Sequence, residues 1–196
     1  MVMINKQCEE ELKNGNLVVM PTDTVYGVCA DAQNPEAAAK LYALKKRENK
    51  PGTLIAASID QLTTLGIKRR YLTAVEQFWP GAISIVIPTA SANLKHLDLG
   101  KGTLAMRVVA DKNLKELLEK TGPLITTSAN TPGNPHANTI DEAREYFDEQ
   151  VACYVDGGDL SNKEPSTIIR VVDDAIEILR EGAVKINEEG EILHEI

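Results

Sequence analysis

The sequence predicts an α/β fold in which a twisted, largely mixed sheet is combined with helices. Segments typical of strands and of helices alternate along the whole chain, the pattern of a sheet covered by helices. No internal repeat, low-complexity tract or linker interrupts the 196 residues, so we expect a single domain over residues 1–196. Hydrophobic residues make up 43% of the chain and aromatic residues 4%, so aliphatic side chains must fill the core.

Caps and apolar periodicity predict the helices. Asn34 as N-cap and Pro35 in the first turn begin one helix. Thr139 and Glu142 form a capping box for another. Leucines spaced along one face, followed by Gly-Pro, indicate a third. The predicted helices are, in chain order, residues 5–14, 35–47, 72–79, 111–120 and 139–147.

Short apolar runs bounded by turn residues predict the strands between these helices. The predicted strands are, in chain order, residues 17–20, 53–58, 82–87, 103–109, 124–127, 151–155, 166–172 and 175–180. The segment PTDTVYG follows the first strand, and its spacing alone favours a structural turn closed by Gly27.

Charge and hydropathy exclude several classes of protein. The formal net charge is −8, with acidic residues concentrated in the last sixty. Such a chain is a poor candidate for sequence-independent coating of nucleic acid, although one local basic pocket could still bind an anion. No apolar run has membrane-spanning length, and residues 1–15 lack the pattern of a signal peptide. We therefore expect a cytoplasmic protein that does not bind a membrane.

The cysteines and histidines predict no metal site. Cys8, Cys29 and Cys153 are odd in number and far apart, so we expect buried thiols and neither a disulfide framework nor a zinc knuckle. The three histidines are isolated from one another.

Familiar nucleotide-binding loops are absent from the sequence. The segment Gly100-Lys101-Gly102 superficially suggests a phosphate loop, but that motif requires a glycine where Lys95 stands. No Gly-x-Gly-x-x-Gly follows a strand, and no Gly-x-Ser-x-Gly is present. A nucleotide would therefore need an unusual binding site.

Four local clusters could carry chemistry. The hydroxyls and carboxylate of residues 21–27 follow a strand, where α/β folds place ligand-binding groups. Basic residues 45–50 end a helix, so they either complement its dipole or bind a polyphosphate. Residues 128–130 are small and polar and follow another strand. The last cluster combines a Thr-x-x-x-Arg pair at 103 and 107, whose members share one face of a strand, with residues 166–167 and 180.

The order of these clusters along the chain resembles the pattern of a known protein family, whereas no single cluster is specific to one. The succession PTDTVYG, KKR, TLAMR, TSAN, PSTI and LREG, over about residues 5–185, resembles the YrdC-like family of threonylcarbamoyladenylate synthases. The resemblance implies helices and a twisted sheet around a large basic cavity. It also implies the conversion of L-threonine, bicarbonate and ATP into threonylcarbamoyl-AMP and pyrophosphate, with Mg²⁺ carried by the nucleotide. A downstream threonylcarbamoyl transferase complex would pass the product to tRNA, which is also a possible direct partner.

The resemblance also implies roles for individual residues. Those assigned to L-threonine are Thr24, Arg107, Thr126 and Ser166. Those assigned to the nucleotide are Arg47, Lys50, Thr103, Ser128, Asn130, His136 and Arg180. Lys45 and Arg47 are the catalytic candidates, and no protein metal site is expected.

The chain departs from the family pattern at two of these positions. It is one residue shorter between Arg47 and Pro51 and has Lys50 where asparagine is frequent, while His136 replaces a serine. There are three alternatives: a paralogue with a different or lost activity, a carbamoyl transferase of the kind that carries this fold inside a larger multidomain chain, for whose other domains 196 residues leave no room, and an RNA-binding maturation factor. The last predicts RNA affinity that falls steeply with salt and no ATP turnover.

Overall fold

A computed structural model describes residues 6–46, 50–89, 91–173, 175–187 and 189–193. Its helices are α1 (Lys6–Lys13), α2 (Pro35–Leu44), α3 (Ile59–Thr64), α4 (Arg69–Thr73), α5 (Lys95–Asp98), α6 (Lys112–Thr121) and α7 (Ile140–Phe147). Its strands are β1 (Val18–Pro21), β2 (Tyr26–Asp31), β3 (Thr53–Ala56), β4 (Ile83–Pro88), β5 (Thr103–Val108), β6 (Leu124–Ser128), β7 (Cys153–Tyr154), β8 (Thr167–Val172), β9 (Ala175–Arg180), β10 (Lys185–Ile186) and β11 (Ile192–Leu193).

Within these residues, nine strands form one sheet in the order β7-β1-β2-β6-β3-β5-β4-β8-β9. The pairs β1–β7, β3–β5 and β4–β8 are parallel. The other neighbours in the sheet are antiparallel. The predicted mixed α/β sheet is therefore confirmed.

The two faces of the sheet bury two separate cores. Leu17 and Val19 belong to the larger core, whereas Val18 and Met20 belong to the smaller one. This division follows from the strand itself, because successive side chains point to opposite faces. Helix α1 packs against β1, β2 and β7 and against α6, so these two helices cover the smaller core.

The predicted helix caps are confirmed in α2 and α7. The Asn34 side chain accepts the N–H groups of Glu36 and Ala37 at 3.0 and 3.2 Å. Thr139 Oγ1 accepts the N–H of Glu142 at 3.3 Å. The Glu142 carboxylate does not complete the capping box at Thr139, because it accepts the Asn138 N–H instead, at 2.7 Å.

Several element predictions are wrong. The Tyr26–Asp31 strand was not predicted, because glycine and alanine in that segment weaken the strand pattern. A single helix over residues 72–79 is also wrong: α4 ends at Thr73 and a 3₁₀ turn covers Glu76–Phe78. The apolar residues there are spaced by three, which a 3₁₀ turn buries as well as an α-helix does. Helices α3 and α5 were not predicted either.

The prediction of no disulfide is wrong. Cys8 of α1 and Cys153 of β7 form a disulfide, with their Cα atoms 5.6 Å apart. Parallel pairing places Cys153 opposite Val18, and α1 packs over both strands. The two cysteines are 145 residues apart in the sequence, so no local pattern indicates that they lie close together. Cys29 is a buried free thiol, as predicted.

None of the helices in the described ranges is both long enough and apolar enough to cross a membrane.

Candidate functional site

A cavity of about 580 Å³ opens on the sheet face that α1 and α6 cover only in part. In β5, Thr103, Ala105 and Arg107 face this cavity, while the side chains between them enter the larger core. The sequence-predicted residues that line it are Thr24, Lys50, Thr103, Arg107, Thr126, Ser128, Asn130, His136, Ser166 and Arg180. Residues 80 or more positions apart in sequence therefore share one site. Arg47 lies outside the described residues.

The cavity is positively charged although the protein is acidic. Lys50, Lys101, Arg107 and Arg180 line it, and no aspartate or glutamate is among the described lining residues. The chain as a whole carries a formal charge of −8. Cations concentrated in a concave site raise the local concentration of an anionic ligand, so the cavity is suited to phosphates and carboxylates.

Arg107 is held in one orientation by two buried partners. Its Nε and Nη2 donate to the Asp23 carboxylate at 3.1 and 2.7 Å, and its Nη1 donates to Ser84 Oγ at 3.0 Å. The Arg107 and Asp23 side chains are only 3% and 6% exposed. These partners use three of the five guanidinium N–H groups, which leaves two for a ligand in the cavity. The pair therefore presents a fixed fork of donors.

A chain of hydrogen bonds joins Arg107 to the far wall of the cavity. Ser84 Oγ lies 2.8 Å from Ser166 Oγ. Arg180 donates to the Ser166 carbonyl oxygen through Nε at 3.1 Å and through Nη2 at 2.7 Å. Ser84 is fully buried, so neither hydroxyl can exchange this partner for water without a cost. Hydrogen bonds thus connect the residues assigned to threonine with Arg180, which is assigned to the nucleotide.

Lys45 lies beneath the cavity wall and is 3% exposed. Its ammonium group donates to the Ser128 carbonyl at 2.8 Å, to Asn130 Oδ1 at 2.8 Å and to the Asn130 carbonyl. Ser128 Oγ in turn donates to Asn130 Oδ1 at 2.7 Å. The lysine at the end of α2 therefore shapes the loop at residues 128–130, rather than only complementing the helix dipole.

Gly27 of PTDTVYG allows two strands to approach closely. A Cβ at this position would lie 2.6 Å from Thr126 Oγ1, closer than real Cβ atoms are found. Thr126 Oγ1 also accepts a hydrogen bond from the Cys29 thiol at 3.3 Å and donates one to the Val28 carbonyl at 3.2 Å. The glycine thus lets the hydroxyl of Thr126 sit between β2 and β6.

Burial changes the acidity of two groups at the site. Desolvation raises the pKa of the Cys29 thiol to about 12, and the hydrogen bond to Thr126 offsets this only in part. Burial likewise raises the pKa of Tyr26, whose hydroxyl donates to the Gly158 carbonyl at 2.9 Å and accepts the Gly157 N–H at 2.7 Å. At neutral pH both groups are protonated, so neither is an anion that would repel a phosphate.

Three residues of the site have no role predicted from the sequence. Asp23 lies within the PTDTVYG motif, and its charge was the available signal. Ser84 interrupts the apolar run Ile83–Ile87, which is a signal of a buried hydroxyl. Lys101 belongs to a glycine-flanked segment that lacks the spacing of a phosphate loop and nevertheless lines the cavity.

Comparisons with known proteins agree with this geometry. A model of the Sua5/YciO/YrdC domain family, described as "Telomere recombination", matches residues 10–182. A threonylcarbamoyl-AMP synthase of Saccharophagus degradans is 35% identical over 175 residues, which cover 87% of this chain and 91% of that protein. A threonylcarbamoyl-AMP synthase of Pseudoalteromonas translucida is 33% identical over 163 residues, which cover 80% of this chain and 87% of that protein.

A solved structure shares the architecture. The crystal structure of P. abyssi Sua5 complexed with L-threonine superposes with a TM-score of 0.81 at 29% identity. The match covers 90% of this chain but 53% of that one, so the present chain spans about half of the solved protein.

Proposed function

The chain belongs to the Sua5/YciO/YrdC family, and we propose that it is a threonylcarbamoyl-AMP synthase. It joins L-threonine, bicarbonate and ATP, and it releases pyrophosphate. The observation that carries the proposal is the cavity, where four cationic side chains and a row of hydroxyl groups converge without a lining carboxylate among the described residues.

The reaction explains why such a cavity is needed. The threonine amine and bicarbonate condense to a carbamate with loss of water. A carbamate oxygen then attacks the α-phosphorus of ATP, the bond to the bridging oxygen breaks, and pyrophosphate leaves. A carboxylate, a carbamate and a triphosphate must therefore meet, and their repulsion opposes the reaction. Cations and hydroxyls held in place before the substrates arrive offset that repulsion without further reorganisation.

The geometry suggests how the substrates are divided over the cavity. The two remaining donors of Arg107 suit the threonine carboxylate, because guanidinium and carboxylate groups pair in a bidentate manner. Thr24, Thr126 and Ser166, each at most 6% exposed, supply the polar surroundings of the amino acid. We assign to the nucleotide five further residues that line the cavity, namely Thr103, Ser128, Asn130, His136 and Arg180. Lys45 acts through the loop that it holds, and Arg47, outside the described residues, adds a cation to the triphosphate.

Mg²⁺ enters this proposal as part of the nucleotide. Among the described residues, no group of three or more histidine, cysteine or acidic side chains is arranged to hold a metal ion. The described lining of the cavity has no carboxylate, the group through which proteins usually hold Mg²⁺, so the ligands of the ion are phosphate oxygens and water. No step assigned to this chain passes through the ion.

The product defines the partners of the reaction. Threonylcarbamoyl-AMP is a mixed anhydride that hydrolyses readily, so a transferase complex must take it up quickly and pass the threonylcarbamoyl group to an adenosine of tRNA. Both steps take place in the cytoplasm.

The test is pyrophosphate release by the purified chain. We expect release only when ATP, L-threonine and bicarbonate are all present. Release with threonine in carbonate-free buffer would replace the carbamate route by simple amino-acid adenylation. No release under any condition, together with RNA affinity that falls steeply with salt, would favour the RNA-binding alternative.

A further inference from the structure

The segment Gly100-Lys101-Gly102 is an exposed turn with a defined backbone conformation, and its lysine lines the cavity. Leu99 caps the C-terminus of helix α5 with φ of 52°, and Gly100 and Gly102 follow with φ of 77° and 69°. Three left-handed residues in four positions turn the chain sharply into β5. Lys101 stands at the centre of this turn and lines the cavity.

A buried carboxylate holds the turn in this shape. Asp98 is 1% exposed, and its Oδ1 accepts the Gly100 N–H at 2.8 Å while its Oδ2 accepts the hydroxyl of Thr89. The Lys101 N–H donates to the Asp98 carbonyl at 3.0 Å, and the Thr89 N–H donates to the Gly102 carbonyl at 2.8 Å. The backbone of the turn is therefore fixed, although the Lys101 side chain is exposed.

Sheet topology brings a second lysine to the same edge of the cavity. Strands β3 and β5 are parallel neighbours, and Thr53 pairs with Ala105. Lys50 precedes the amino end of β3 and Lys101 precedes the amino end of β5, and both line the cavity. The ion pairs among the described residues include Arg107 with Asp23 but none made by Lys101. Within the described part of the chain, Lys101 thus makes no ion pair with a carboxylate, in contrast to Arg107.

We infer that Lys101, beside Lys50, forms the subsite for the β- and γ-phosphates of ATP and hence for the departing pyrophosphate. This inference rests on the proposed function and refines it. Arg107 and Ser166 are 3% and 4% exposed and lie at the closed end of the cavity, where the amino acid binds. The exposed lysine edge is the open end, through which a highly charged leaving group can depart into water.

The test compares ATP with AMP, which lacks the β- and γ-phosphates, and with pyrophosphate, which lacks the adenosine and the α-phosphate. Isothermal titration should show that Lys101→Ala weakens ATP and pyrophosphate about tenfold each, the loss of one cation–phosphate contact in a partly hydrated site. AMP, which lacks the β- and γ-phosphates, should bind unchanged. Lys101→Arg should retain most of the ATP affinity, and Lys95→Ala, which removes an exposed lysine of α5 outside the cavity lining, should change nothing.

The possible outcomes separate the subsite from the reaction. Equal weakening of AMP and ATP, or unchanged ATP and pyrophosphate binding in Lys101→Ala, overturns the subsite. The subsite is likewise overturned if the wild-type chain binds neither ATP nor pyrophosphate. Selective loss of ATP and pyrophosphate binding supports the subsite even if the wild-type chain shows no threonine-dependent turnover, which would overturn the proposed reaction alone.

Discussion

Replacing Asp23 by asparagine should destabilise the protein strongly. The substitution keeps the side-chain shape but removes the charge opposite Arg107, and its amide N–H₂ group meets a guanidinium donor where a carboxylate oxygen stood. Both partners of the original pair are almost fully buried, at 3% and 6% exposure. Breaking such a pair leaves an uncompensated buried charge and costs about 3–5 kcal/mol. For a chain of this length each kcal/mol lowers Tm by about 2–4 °C, so the expected loss is about 6–20 °C.

The assay is thermal and urea unfolding followed by circular dichroism, with Asp60→Asn as the matched control. Asp60 pairs with Arg69 at 3.0 Å, but the two side chains are 79% and 68% exposed. An exposed pair contributes at most about 1 kcal/mol, so this control should shift Tm very little. The same substitution in two ion pairs of similar length therefore isolates the effect of burial.

A double variant tests the cause. Asp23→Asn combined with Arg107→Met leaves no unpaired buried charge. The double variant should therefore lose less stability than the sum of the losses in the two single variants. If Asp23→Asn costs no more than Asp60→Asn, the buried pair is not the structural element described above, and the fixed orientation of Arg107 loses its support.

The disulfide, the buried thiol and the threonine pocket each give a further expectation. Cys8→Ala should lower the unfolding free energy in urea by up to about 5 kcal/mol relative to the oxidised protein, which is the chain-entropy value for a loop of this length. Equal stability of the oxidised and reduced wild type would refute a structural disulfide. The Cys29 thiol, with its pKa raised to about 12, should stay unmodified by iodoacetamide at pH 8 in the native protein, and labelling at the rate of a free thiol would show that it is accessible. Comparison of kcat/KM should rank threonine above serine by about 10–200-fold and above valine by about 10⁴-fold, because valine leaves buried hydroxyls unpaired; valine ahead of serine would mean that the site recognises the methyl group.

The sequence by itself determined most of the elements and the family. The helix starts at Asn34 and Thr139 could be predicted because capping depends on the local sequence. Most strands could be predicted because a buried strand appears in the sequence as a run of apolar residues. The ordered motifs also identified most residues of the cavity, since each motif keeps its position in the chain. The sequence was ambiguous where the residues have weak propensity, as at Tyr26–Asp31, or a spacing that two helix types satisfy, as at residues 72–79.

Tertiary structure alone decided which of these residues touch. The Asp23–Arg107 pair spans 84 residues, the Ser84–Ser166 contact 82, and the Cys8–Cys153 bond 145. Such contacts depend on the order and register of strands in the sheet, which no local pattern encodes. The burial of Lys45 has the same origin. At the end of a helix a lysine normally reaches water, whereas here the loop at residues 128–130 folds over it and supplies oxygens that make burial tolerable. Local chemistry therefore selected the candidate residues, and long-range packing gave each its partner and thereby its role.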